Sequence, residues 1–294
     1  MTRAHPLLPF LSVAAGIAVF SMMDALMKSA SIEAGVYNAL LWRSAVGTAL
    51  MLPVWRLTGG RSPKVAVLRL HALRSTVVAG MALLFFWGLV RMPMAEAMAI
   101  SFVAPLIALY LAAVLLGERI RARAVIGSLL GLAGVSVIAA GQFHDGRADA
   151  SFWGLLAVLS SAVLYAWNLI LQRQQAQVAS PAEVALFQFF FVGLVLAVAA
   201  PWLAEEPSAA ALRDITGGAL LAATSLMFLA WGYARAEAQA LVPIEYTGFL
   251  WAVLFGWLWF GETVTPTTIA GALLIVAGCW TAIRGPQSPL IQAP

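Results

Sequence analysis

A single cysteine and three histidines in 294 residues exclude several kinds of chemistry at the outset. Cys279 alone can form neither an internal disulfide nor a cysteine-based metal site. His5, His71 and His144 fall outside the long apolar runs, and no HExxH pattern occurs, so no metal centre is expected. There is no Gly-Lys dipeptide anywhere, hence no phosphate-binding P-loop and no ATP-driven pump. No GxSxG nucleophile elbow is present either. Neither a catalytic residue nor a cofactor is expected. Charge is also scarce. Only 10% of residues are Asp, Glu, Lys or Arg, against about 25% in soluble domains.

What fills the chain is hydrocarbon. Hydrophobic residues make up 62%, and the mean hydropathy is +0.91. Apolar runs fall near 7–28, 34–55, 72–90, 94–116, 123–141, 151–172, 182–203, 215–234, 239–260 and 266–283. Each suits a helix crossing roughly 30 Å of lipid hydrocarbon. They do not alternate, and an open sheet cannot satisfy its backbone in lipid. An all-α polytopic membrane protein with ten transmembrane helices is therefore expected. The first run is too long for a signal-peptide core and its leading charge is weak, so it is read as a retained helix. With the N-terminus inside, twelve Lys and Arg fall in inner segments, four (Lys28, Arg91, Arg147 and Arg213) in outer ones, and Arg43 within a span. That bias places both termini in the cytoplasm. The net charge of +4 thus records topology, and no nucleic-acid partner is expected.

The first half can be laid on the second at a displacement of 144 residues. Trp87-Gly88 falls on Trp231-Gly232, Arg91 on Arg235, Gly117-Glu118 on Gly261-Glu262, Gly127 on Gly271, Gly134 on Gly278 and Asp24 on Asn168. A constant offset across most of a chain is the mark of a duplicated module. The polar, glycine-containing stretch Gly141–Arg147 separates the copies. The expected organisation is a five-helix repeat at 1–141, a loop at 142–150, a second repeat at 151–284 and a tail at 285–294. Five is odd, so the second copy enters the bilayer from the opposite side. Two inverted five-helix repeats imply a midplane binding site and alternating access.

The stretch Ala95–Gly134 carries Pro105 in mid-run, Gly117-Glu118 at its end, then Gly127 and Gly134. With its partner Pro243–Gly278 it resembles the paired EamA-type domains of the drug/metabolite transporter superfamily, and the resemblance covers essentially the whole chain. It implies a ten-helix carrier, often an exporter of amino acids or other metabolites. The first, third and fourth helices of each half would then surround the cavity. Phe249 stands where the first half has Pro105, so the two fourth helices need not kink alike.

Several residues are candidates for lining that cavity. Ser161, Tyr165, Asn168 and Gln172 share one helical face, and the displacement maps the last three onto Ser21, Asp24 and Lys28. Such stripes face protein or a wet cavity, because polar groups in lipid are costly. Lys28 can instead snorkel outward, and Gln172 can sit at the inner interface. Arg43 lies near the middle of the second run and needs a partner; Asp24 is nearest in depth. The two form either an ion pair or a site for a substrate carboxylate. Trp87 and Trp231 are either interfacial anchors or, with Phe85, Phe102, Tyr165 and Tyr246, the walls of an aromatic cavity. Ser101 and Glu245 are repeat partners; Glu245 couples protons, caps a helix start or pairs with Arg235. Pro105 and Pro243 would kink their helices and serve gating, while Glu118 and Glu262 would anchor helix ends. Gly127 and Gly131 form a GxxxG that permits close packing within the fold or homodimerisation.

The expected function is a secondary transporter that exports a small organic solute, plausibly an amino acid, from a bacterial-type inner membrane. Its partners would be that solute and the lipid bilayer, with the protein a monomer or a homodimer. A membrane-embedded enzyme or a non-transporting assembly subunit is the competing class; within transport, an importer or a drug or nucleotide-sugar exchanger.

Overall fold

The computed structural model describes residues 7–116, 122–144, 148–233, 244 and 246–283. No strand occurs among them. The helices are α1 (Leu8–Ala34), α2 (Val36–Leu57), α3 (Val65–Leu89), α4 (Met94–Ser101), α5 (Ala104–Leu116), α6 (Ala122–His144), α7 (Ala148–Ala176), α8 (Pro181–Ala197), α9 (Ala200–Leu203), α10 (Ala209–Tyr233), α11 (Gly248–Phe260) and α12 (Pro266–Ile283). Four stretches, Leu8–Ala34, Val65–Leu89, Phe152–Gln172 and Ala209–Leu229, are long and apolar enough to cross a membrane. Shorter apolar helices accompany them. The limits of several helices differ from the expected runs. The gap between the first two runs closes to one residue, Gly35, whose φ of 79° a side chain would strain. The third helix begins at Val65, well before the expected start at 72.

Helix pairing repeats across the halves. α1 packs on α10 as α7 packs on α3; α2 meets α10 as α8 meets α3; α11 meets α1 as α5 meets α7. The pairs α6–α12 and α2–α8 are their own counterparts. Exchanging the halves returns these pairings.

Glycines set the closest of these contacts. A Cβ on Gly134 would lie 2.5 Å from the Gly271 carbonyl oxygen, and one on Gly278 would lie 2.4 Å from that of Gly127 and 3.0 Å from the Gly131 nitrogen. The Gly127–Gly131 motif is thus spent inside the fold on α12, which leaves it unavailable for a dimer contact. Gly88 meets Val158 and the Gly154 carbonyl, while Gly232 meets Val13 and the Pro9 carbonyl. The glycine after each repeated tryptophan does permit close helix approach.

These contacts correct the register. Gly232 follows Gly88 by 144 residues, but Val158 follows Val13 and Gly154 follows Pro9 by 145. The hydroxyls agree: Ser161 donates to the Met81 carbonyl and Ser225 to that of Gly16, each at 2.8 Å. Residue 225 lies 144 after 81, whereas 161 lies 145 after 16. The second half is one residue shorter between its first and third helices. The structural counterpart of Asp24 is therefore Leu169, and that of Asn168 is Met23. Lys28 pairs with Arg173 in place of Gln172.

Overpacking a tight site costs about 1–3 kcal/mol. Gly134→Leu and Gly271→Leu should each lower the melting temperature of the detergent-purified protein, read by loss of the monodisperse peak after heating. Leu129→Ala, at an outward-facing position of α6, should leave it unchanged.

Candidate functional site

A helix break in the first half faces a turn in the second. α4 ends at Ser101 and α5 starts at Ala104. Pro105 has no N–H, so the turn closes on shorter bonds: Phe102 N–H to Ala99 O (3.2 Å), Val103 N–H to Ile100 O (3.1 Å) and Leu106 N–H to Val103 O (3.0 Å). The freed Phe102 carbonyl accepts from the Cys279 thiol at 3.1 Å. The kink expected at Pro105 is present. On the other side, Thr247 N–H bonds Ile244 O at 2.9 Å, Phe249 N–H bonds Tyr246 O at 3.2 Å, and α11 begins at Gly248. A turn at Tyr246 and Thr247 thus precedes α11 without a proline at 249, and residues 234–243 before it lie outside the described residues. The aromatic rings at the break and the turn, Phe102 and Tyr246, meet edge to face at 5.1 Å. Pro243 and Glu245 lie outside the described residues, as does Glu118.

Buried polar groups lie at three levels. At the C-terminal end of α1, the Lys28 ammonium pairs with the Glu262 carboxylate and donates to the Met92 carbonyl at 2.8 Å. Glu262 also accepts from the Met94 N–H at 2.7 Å, at the start of α4. The Phe260 ring lies 5.0 Å from the ammonium, and Glu96 lies buried nearby, within electrostatic reach. Lys28 therefore points inward, since an ammonium paired with a carboxylate and bonded to a carbonyl gains nothing by snorkelling. Glu262 anchors a helix end, as its position suggested.

The middle level holds Asp24 and Arg43, 2% and 8% exposed. They attract each other electrostatically but form no ion pair. Arg43 donates to the Met23 sulfur at 3.7 Å and lies 5.7 Å from the centre of the Phe86 ring. Asp24 Oδ2 and Arg43 Nε have no hydrogen-bond partner among the described residues. Ser21, one turn before Asp24, is buried as well.

At the third level, Arg74 donates from Nε to Asn168 Oδ1 at 2.9 Å and from Nη1 to Gln175 Oε1. Gln175 Nε2 donates to His71 Nδ1, and His71 Nε2 donates to Glu183 at 3.1 Å. Phe187 stacks on the imidazole at 4.9 Å, and Tyr165 lies within electrostatic reach of Arg74. His71 and Arg74 are thus buried inside α3, against the expectation that His71 falls outside the spans and Arg74 in an inner segment. The early helix start at Val65 draws them in. Gln172 is exposed, and the polar face of α7 continues through Gln175. Extending the 3–4-residue periodicity by one more step would have found Gln175. The spacing of His71 and Arg74 on one face of α3 was the other available signal.

The aromatic candidates divide. Trp87 is exposed, with the Arg91 guanidinium 3.4 Å from its ring centre and donating to its carbonyl at 2.7 Å. It is no cavity wall; its side chain points away from the bundle because Gly88 takes the packed face. Trp231 is half-buried. Phe85 is half-buried, stacking edge-on against Phe86 at 5.3 Å. Ser101 spends its hydroxyl on the Ala97 carbonyl at 2.8 Å. A shallow apolar groove of about 300 Å³, lined by Ala14, Thr247, Leu250, Trp251 and Leu254, lies apart from the buried charges.

Two successive segments, residues 8–140 and 152–284, each match the family model for the EamA-like transporter family. The chain belongs to that family. It falls within the drug/metabolite transporter superfamily, as a multi-pass membrane transporter of a small molecule. The EamA-like chain is 29% identical over 265 residues to the pseudopaline exporter CntI of Pseudomonas aeruginosa strain UCBPP-PA14, covering 88% of this chain and 90% of that one. It is 29% identical over 256 residues to a probable terminal-alkyne amino-acid exporter of Streptantibioticus cattleyicolor, covering 83% and 82%. A riboflavin transporter of Brucella anthropi is 22% identical over 280 residues, covering 92% and 96%. A crystal structure superposes with a TM-score of 0.65 at 22% identity, covering 93% of this chain and 96% of that chain, which supports the fold.

Removing one partner of a buried ion pair strands the other, at about 3–5 kcal/mol. Lys28→Met should therefore destabilise the purified protein strongly. Lys28→Met with Glu262→Gln should recover most of the loss, and a double-mutant cycle on thermal stability reads that coupling directly.

Proposed function

We propose that this EamA-like protein is a secondary transporter exporting a small organic solute of amino-acid type by alternating access. The observation that carries this reading is the interchangeable helix pairing, with the break before Pro105 in the first half and the rings of Phe102 and Tyr246 meeting between the halves. In a carrier built from repeats, broken helices near the midplane mark the solute path. The helices group as ten spans: α1, α2, α3, α4 with α5, α6, α7, α8 with α9, α10, the segment at 244–260, and α12. Five per half makes the repeats at 1–141 and 151–284 inverted, and the Lys/Arg bias places both termini in the cytoplasm of a bacterial inner membrane.

The name of the terminal-alkyne amino-acid exporter supports an amino-acid solute and outward direction. The riboflavin transporters favour a second reading, a larger aromatic solute. On either reading the protein is a carrier and carries out no catalysis, in keeping with relatives named as transporters or exporters.

Purified protein in liposomes should catalyse counterflow of labelled amino acids. Absence of flux for amino acids, riboflavin and a broad metabolite panel would remove the transport reading. Tyr165→Ala should cut flux several-fold without lowering expression, since it stands beside the buried Arg74. If Glu245 couples protons, an imposed pH gradient drives uphill movement that Glu245→Gln abolishes; persistence of that movement assigns coupling elsewhere.

A further inference from the structure

Asp24 and Arg43 differ from every other buried charge described above. Lys28, Arg74 and His71 each have polar partners at hydrogen-bonding distance, and those bonds offset the loss of water. Arg43 has a thioether and an aromatic face, both weak substitutes. Asp24 Oδ2 and Arg43 Nε have no partner among the described residues. Burying an isolated carboxylate or guanidinium costs several kcal/mol unless each charge is met at contact. The two lie on consecutive helices joined only by Gly35, close enough to attract yet too far apart to bond each other.

A ligand that satisfies both must carry a cation and an anion only a few bonds apart. A carboxylate matches the planar fork of an arginine with two parallel hydrogen bonds. An ammonium matches an aspartate. A ligand with only one of these groups would leave a buried charge unmet, and sites with unmet polar groups discriminate steeply. We propose that Asp24 and Arg43 form the subsite for the zwitterionic head of an α-amino acid, its ammonium on Asp24 and its carboxylate on Arg43. The assignment rests on the transporter reading and adds the chemistry that selects the solute. The side chain of the amino acid would lie against the Phe86 side of the pair, where apolar and aromatic groups are compatible.

The test uses the full-length purified protein and two readouts, thermal stabilisation by ligand and counterflow in liposomes. The probes are L-phenylalanine, phenethylamine, which lacks the carboxylate, and 3-phenylpropionate, which lacks the ammonium, with the corresponding leucine set. The amino acids should stabilise the protein with at least tenfold higher affinity than either half-ligand. Asp24→Asn should reduce the amino acid to the level of the carboxylate alone, and Arg43→Gln to that of the amine alone. Where a single variant does not fold, Arg43→Lys keeps the charge without the fork, and Asp24→Asn with Arg43→Gln leaves no unmatched charge. Both should lose at least tenfold in amino-acid affinity. Equal affinity for amino acids and half-ligands overturns the assignment, as does unchanged amino-acid binding in the variants or no stabilisation by any amino acid. Flux of another solute that survives both substitutions overturns it too, while leaving the transporter reading intact. Amino-acid stabilisation lost in the variants, without flux in the wild type, upholds the site and removes the transport reading.

Discussion

Gly134 and Gly271 bring α6 and α12 together until a Cβ on either would sit 2.5–2.6 Å from the other's carbonyl oxygen. Within lipid, apolar side chains gain little by leaving one apolar surround for another, so helices associate through close packing. Contact between backbones is the densest form of that packing. The same device recurs at Gly88 on α7 and at Gly232 on α1. These contacts place the third and last helix of each half, and the position of the charged groups on α1, α3 and α7 follows from them.

The polar groups sort by how completely they are met. At one end, Lys28, Glu262 and the backbone around Met92 and Met94 tie α1, α4 and the segment after α11. At the other, the chain from Asn168 through Arg74, Gln175 and His71 to Glu183 ties α3, α7 and α8. Both networks are bonded through several groups. Between them lie Asp24 and Arg43, whose charges are opposed but not joined. Satisfied ends with an unsatisfied middle are the pattern expected where a solute is to be held and released, because a site already saturated by protein has nothing left to offer.

The helical class and the family were legible in the sequence because they rest on long-range averages: hydropathy over twenty residues, a repeat over more than a hundred. The kink at Pro105 was legible because a missing N–H acts locally. The turn at Tyr246 and Thr247 was less so: Pro243 lies just before it, but where the turn falls depends on packing across the two halves. His71 and Arg74 were misplaced for a related reason. Polar residues at the head of α3 look like loop in a hydropathy window, and only their partners on α7 and α8 show that they are inside. Lys28 illustrates the same point, with partners 64 and 234 residues away. Trp87 was ambiguous by nature, because the sequence reports a large ring but not which side of its helix the following glycine occupies.

The one-residue difference between the first and third helices of the halves also bears on how the chain can change. Successive residues of a helix are rotated by about 100°. A recombination event that copied α1 over α7 in the ungapped register would turn every buried group by that angle, moving Ser161 and Gly154 off their contacts on α3. Gene conversion, which tends to keep duplicated segments alike, would therefore be selected against here. The two copies are free to drift apart, and a charge such as Arg43 can persist in one half without being erased by, or copied into, the other.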